Sequence, residues 1–169
     1  MRWIPLIIIL FIAIASGLCL LNVVTDFEKR RFYLISLVYL TFLGTILFTP
    51  ISFDGTAVYV MPAGLGQVNL HKLDILEVGF LENIILTVPL GFLIKRFLSK
   101  TSVISMALLG FVIGGGIETT QYYLSQLFLI NRTSDINDVI ANAIGIIVGT
   151  GLMIAYEYIS NKHIVKISK

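Results

Sequence analysis

Charge is scarce in this chain of 169 residues: Asp, Glu, Lys and Arg together make 13%, against 57% hydrophobic residues. Water-soluble domains carry charge at about 25% of positions, so the composition excludes that class and indicates an integral membrane protein. The net charge is only +2, and no basic stripe is interleaved with aromatics. Nucleic acid is therefore not an expected partner. One cysteine, Cys19, sits inside an apolar run, which excludes a disulfide framework or a zinc-binding thiol pair and leaves a small packing residue. The two histidines are His71 and His163, and neither His-Glu-x-x-His nor Gly-x-Ser-x-Gly occurs. The zincin and nucleophile-elbow signatures are thus absent. Without an internal repeat, a low-complexity segment or a linker, a single membrane domain over residues 1–169 is expected, and the missing inverted repeat puts a transporter behind the other readings.

Long apolar runs are what the chain does have. A helix needs about 20 residues to cross a hydrocarbon core of about 30 Å, and five stretches meet that length, near residues 4–21, 32–49, 75–94, 103–124 and 138–159. The expected fold class is an all-α integral membrane protein, a bundle of five transmembrane helices. Only Arg2 precedes the first run, whereas Lys29, Arg30 and Arg31 follow it. That order favours a retained helix with an outer N-terminus over a cleaved signal peptide. Lys95, Arg96 and Lys100 lie between the third and fourth runs, and Lys162, Lys166 and Lys169 end the chain. Nine of the twelve basic residues thus fall on one side, which the positive-inside rule makes cytoplasmic, together with the C-terminus. Arg2, Lys72 and Arg132 fall outside. The long outer loop "ISFDGTAVYVMPAGLGQVNLHKLD" alternates over 56–60 and then carries Pro62, Gly64 and Gly66, as a short hairpin or a re-entrant loop would.

Depth follows from a rise of about 1.5 Å per residue. Glu82 and Asn83 lie roughly 10 Å below the outer end of the third helix, Glu118 at a similar depth in the fourth, and Asp138 and Asn142 one turn apart at the outer start of the fifth. Helical spacing joins Gly110, Gly114, Glu118, Gln121 and Ser125 in one stripe, and Asp138, Asn142, Gly145 and Gly149 in another. Both follow the small-xxx-small pattern of close helix approach, so their polar tops are expected to face each other. A charge in hydrocarbon costs at least about 2.5–3.5 kcal/mol. Glu118 therefore requires company: Asn83 or Asn142 as donor, Arg132 as a cation folding in from the outer loop, or a proton. The plainer readings make Pro89 a kink in the third helix, Gly145 and Gly149 packing residues, and Asp138 a helix cap. Arg132 and Asp135 would form a solvated pair worth roughly 0–1 kcal/mol. Glu118 resists a plain reading, because a polar pair would be cheaper a few residues further along.

"ENIILTVPLGFLI", followed by "IETTQYYL" and "NRTSDINDVIANAIGIIVG", resembles the VanZ-like family, whose pattern is Asn then Pro-x-Gly, next Glu-x-x-Gln, then Arg…Asp-x-x-x-Asn-x-x-Gly-x-x-x-Gly. The matching positions are Asn83, Pro89, Gly91, Glu118, Gln121, Arg132, Asp135, Asp138, Asn142, Gly145 and Gly149. The resemblance covers about residues 75–151 and leaves two additional N-terminal helices. Where relatives often show Asn-Leu-x-Pro-Phe, the outer loop has "VNLHKL", without proline.

The resemblance implies a small protein of the cell membrane, of a Gram-positive bacterium, named for low-level resistance to the glycopeptide teicoplanin. The expected partners are membrane lipids and a lipid-linked cell-wall precursor or a lipoglycopeptide, with no cofactor. The polar pocket would comprise Asn83, Glu118, Gln121, Arg132, Asp135, Asp138 and Asn142, supported by Pro89, Gly91, Gly114, Gly145 and Gly149. Two functions stand side by side: a non-enzymatic protein that binds such a molecule at the outer leaflet, and an enzyme with Glu118 and Asp138 as acid and base and Arg132 holding a phosphate. The first is favoured. An oxygen-ligated Mg²⁺ or Ca²⁺ on Glu118, Asp135 and Asp138 stays open, although no metal is expected.

Overall fold

The computed structural model describes residues 1–53 and 56–167, with side chains as far as Lys162. Positions 54 and 55 of the loop after α2, and the side chains of His163, Lys166 and Lys169, fall outside the described residues. The structure is mostly helical: α1 is Ile4–Val23, α2 Phe27–Phe48, α3 Val78–Phe97, α4 Val103–Phe128 and α5 Ile136–Ile167. All five helices are long and apolar enough to cross a membrane, as expected for a multi-pass membrane protein. Four short strands intervene: β1 Ile51–Phe53, β2 Val58–Val60, β3 Val68–Asn69 and β4 Ser134–Asp135.

The helix ends differ from the hydropathy boundaries because polar residues belong to the terminal turns. α2 begins five residues before the apolar run, where the Asp26 carboxylate accepts the Lys29 N–H at 2.8 Å and caps the helix. Arg30 and Arg31 therefore lie within its first turns, and Arg31 pairs with Glu28 at 3.1 Å. Conversely, α3 starts later than residue 75, with Glu77 at its cap position, and runs unbroken through Pro89.

Contacts divide the chain, expected as a single domain, into two compact units. The first joins Met1–Leu70 to Ile117–Asp135. In it α1 packs on α2, a Cβ on Gly17 standing 3.6 Å from Leu37 and one on Gly44 3.8 Å from Ile9. This pairing of early with late positions makes the helices antiparallel. Only Pro5 of α1 is buried, and the helix is apolar on every side, as a membrane-spanning helix is expected to be. After α2 the chain forms the antiparallel hairpin β1–β2, pairing Ile51 with Val60 and Phe53 with Val58. Of the two forms expected for the loop after α2, the hairpin is thus the one adopted. β3 then pairs in parallel with β4, Val68 with Ser134 and Asn69 with Asp135. Arg2 donates to the Met61 carbonyl, so the N-terminus, the loop after α2 and the connection after α4 meet at one end of this unit.

The second unit contains His71–Gly116 and the chain from Ile136 onward. Here α3 packs in parallel along α5: Gly91 lies against Ile146, and Gly149 against Val88 and Phe92. The first half of α4 runs antiparallel to α5, with Gly110 against Ala143 and Gly114 against Val139 and Asn142. The expected pairing of glycine stripes therefore needs correction. The α4 glycines do meet α5, but Gly145 and Gly149 face α3, their added Cβ atoms meeting Thr87 and Val88. α5 thus turns Gly145 and Gly149 to α3 and Val139, Asn142 and Ala143 to α4.

Lys95, near the end of α3, is buried and engaged with main-chain carbonyls. It is 6% exposed, and its Nζ donates to the carbonyls of Ser99 at 2.6 Å and Thr101 at 2.7 Å, beyond the C-terminus of α3. Hydrogen bonds from a charged donor contribute about 1.5–3 kcal/mol. Lys95→Met keeps the stem and removes those donors. It is expected to lower thermal stability in detergent by roughly that amount, and an unchanged unfolding midpoint would refute the capping role.

Candidate functional site

The sequence-derived polar residues form two groups, one in each unit. In the first unit the last turns of α4 carry Glu118, Gln121 and Ser125 on one face, as their spacing requires. All three are buried, Glu118 at 6% and Gln121 at 5% exposure. Glu118 Oε2 accepts the Asp135 N–H at 2.9 Å, and its main-chain carbonyl accepts the Ser134 hydroxyl at 3.0 Å. The Asp135 carboxylate in turn receives the Asn69 amide on both oxygens, at 3.0 Å each. Two carboxylates are thus linked through one peptide unit at the β3–β4 pair.

Gln121 points its Nε2 at the Leu47 carbonyl, 3.0 Å away in the last turn of α2. Its Oε1 is buried and has no hydrogen-bond partner. Ser125 both receives the Arg132 N–H at 2.9 Å and donates to the Arg132 carbonyl at 3.1 Å, closing the connection between α4 and β4. That connection needs left-handed backbone at Leu129 (φ 57°) and Asn131 (φ 62°), a conformation that asparagine tolerates better than leucine. Asn131 accepts the Gly66 N–H through its side chain at 3.2 Å. Gly66 has φ 72°, and a Cβ there would stand 1.9 Å from the Arg132 carbonyl oxygen, so only glycine fits.

The Arg132 guanidinium is part-buried against the end of α2 and β1. Its Nη2 donates to the carbonyls of Ile46 and Ile51, its Nε to Thr49 O at 3.2 Å and its Nη1 to Ser52 Oγ at 3.3 Å. The last carbonyls of a helix have no intrahelical donor, and a cation is favoured at that end of the dipole. Arg132 therefore closes the C-terminus of α2.

In the second unit Asn83 and Thr87 lie one turn apart on α3, and Asp138 and Asn142 one turn apart on α5. The buried Thr87 hydroxyl stands 2.7 Å from Asn83 O and 3.3 Å from Asn142 O. Asn142 is fully buried, yet its side-chain oxygen and nitrogen have no hydrogen-bond partner; expected as a donor, it donates nowhere. Buried amides almost always find partners, so this pair of orphaned atoms is unusual. Asp138 is half-buried in the first turn of α5, where a carboxylate is stabilised by the helix dipole. Asn137 beside it accepts the Asp74 N–H and donates to Lys72 O, both at 2.9 Å, holding the approach to α3 on the start of α5. Glu82 Oε1 is a further buried, unpartnered atom.

Sequence reasoning missed Thr87, Asn69, Ser134 and Asn137. Thr87 was within reach, being four residues after Asn83 on the same helix face; the others are set by partners more than a dozen residues away. Among the described residues no group of three His, Cys, Asp or Glu stands close enough to hold a metal ion.

Comparison with curated proteins gives no match, and comparison with solved structures gives none. The family model described as VanZ/LLP1 matches residues 6–157, extending the motif-bearing stretch to α1 and α2. Since that match spans most of the 169 residues, from α1 into the second half of α5, the chain belongs to the VanZ/LLP1 family.

Proposed function

We propose that this protein acts in a bacterial cell membrane, that of a Gram-positive organism, by binding the polar part of a lipid-linked envelope component or of a lipoglycopeptide, and that it thereby lowers teicoplanin susceptibility. The observation that carries this reading is the buried, unpartnered Oε1 of Gln121, one helical turn from the buried carboxylate of Glu118. A polar acceptor enclosed without a partner loses about 1–3 kcal/mol, and a bound hydroxyl or amide offsets that loss. The Glu118 carboxyl one turn away adds a second polar group for the same ligand. Asp135, in the same unit, contributes a further acceptor in this proposal.

The proposed topology has the N-terminus outside and the C-terminus in the cytoplasm. Nine of twelve basic residues on one side support it. The meeting of the N-terminus with the connections after α2 and α4 fits an alternating chain, which puts these three on the same side in either orientation. Glu118 and Gln121 then lie in the outer half of the bilayer. An enzyme using Glu118 and Asp138 is the less favoured reading, because Arg132 is committed to the α2 carbonyls.

The test is expression in a susceptible Gram-positive host, with teicoplanin and vancomycin susceptibility measured for wild type, Glu118→Gln, Gln121→Leu and Asp138→Asn. Wild type is expected to raise the inhibitory concentration of teicoplanin selectively. Gln121→Leu, which removes the unpartnered acceptor, is expected to abolish that protection at unchanged protein level. No selective effect of wild type sinks the resistance reading. If Glu118→Gln and Asp138→Asn both protect fully, neither charge is required and the enzymatic alternative fails.

A further inference from the structure

The loop after α2 does not have the surface of a loop that stands in water. Residues 51–70 contain no Lys, Arg, Glu or His and a single Asp, yet Phe53, Val58, Tyr59, Val60 and Leu65 are all exposed. β2 is bare on both faces, since Val58 and Val60 point to one side and Tyr59 to the other. Among the described residues the sheet has two strands, so β2 also presents an outer edge, and none of its own residues is charged. In water such an edge invites aggregation.

The base of the hairpin is fixed where the spans end. The Met61 N–H donates to Pro50 O at 2.8 Å, and Arg2 holds the Met61 carbonyl just before α1. Arg132 holds Ile51 and Ser52 just after α2. The apolar surface of the hairpin is therefore continuous with the lipid-facing sides of α1 and α2. Trp3, 40% exposed at the head of α1, and Tyr59 are the residue types that collect at a membrane boundary.

We propose that the β1–β2 hairpin lies in the interfacial layer of the bilayer and that its partner is the lipid surface itself. Hydrocarbon cannot satisfy the unpaired backbone of a sheet edge, which sets a limit to its depth. The headgroup layer offers both water and acyl boundary, and so accommodates apolar side chains on two faces together with a polar edge. A protein partner would have to enclose both faces of β2.

The full-length chain, reconstituted in vesicles of phosphatidylcholine and phosphatidylglycerol, tests this. Trp3→Phe removes the one tryptophan, and Tyr59→Trp or Val58→Trp then reports from either face of β2. Both reporters should show blue-shifted emission, strong loss of fluorescence with lipids brominated near the headgroup, weaker loss with lipids brominated near the chain ends, and little loss with aqueous acrylamide. Quenching by acrylamide without any response to brominated lipid overturns the proposal by putting the hairpin in water. Stronger quenching from the chain ends overturns the interfacial depth. Insensitivity of either reporter to every quencher means that a second copy or another protein covers that face, and overturns it too. If Tyr59→Trp fails to fold, Val58→Trp alone decides between these outcomes.

Discussion

Arg132→Ala is expected to lower thermal stability in detergent more than any other single truncation of a polar side chain in this protein, and to leave little monodisperse material. The guanidinium reaches three segments of the first unit at once: the last turn of α2 through Ile46, the bend after it through Thr49, and β1 through Ile51 and Ser52. Each enclosed carbonyl that loses its donor costs about 1–3 kcal/mol, against a total stability of about 5–15 kcal/mol for a typical domain. Arg132→Lys should recover only part of the loss, because an ammonium is a compact charge and lacks the planar fork. Unfolding midpoints of the three proteins in one detergent decide the matter. If the alanine variant melts with wild type, the clamp contributes nothing to stability.

Gly149→Ala and Gly91→Ala are expected to be the most disruptive of the helix substitutions. A Cβ on Gly149 would stand 1.9 Å from the Val88 carbonyl oxygen, and one on Gly91 2.3 Å from that of Ile146. Both obstacles are backbone atoms, so no side chain can swing aside and α3 must move away from α5. Overpacking of this kind costs about 1–3 kcal/mol and occasionally more. Small residues matter here because helix association in lipid draws on close packing, without the hydrophobic drive available in water. Gly151→Ala is the internal control: nothing lies within 4 Å of its Cβ position, and alanine favours a helix over glycine by about 0.8–1.0 kcal/mol. Opposite signs for Gly149→Ala and Gly151→Ala, two residues apart on α5, are therefore expected from the same melting experiment. Equal effects would refute the close α3–α5 approach.

The proposed function and the clamp are separable. Gln121→Leu should remove protection while leaving the protein folded, whereas Arg132→Ala should remove the folded protein itself. A Gln121→Leu variant that aggregates would assign that side chain to the α2 contact it makes through Nε2 rather than to a ligand.

Five membrane-length helices were legible in the sequence because apolar length and scarcity of charge are local properties of each run, and all five are present. Helical spacing also placed Glu118, Gln121 and Ser125 on one face, and all three are buried. The helix ends were less legible: a hydropathy window discards Glu28, Lys29, Arg30 and Arg31, which the Asp26 cap brings into α2.

Partner choice was decided by tertiary structure alone. Periodicity groups Gly145 and Gly149 with Asn142, but cannot tell which neighbour that face meets; the rotation of α5 turns the glycines to α3 and leaves Val139 and Ala143 to α4. Likewise a cation three residues from Asp135 looks like half of a solvated pair. What makes Arg132 a helix clamp is the end of α2, up to 86 positions earlier in the chain, whose last carbonyls lack intrahelical donors and accept the guanidinium. The sequence determined what each segment is, since that depends on the solvent each residue prefers. Only the fold determined what each polar group touches, since that depends on which helix ends and faces are brought together.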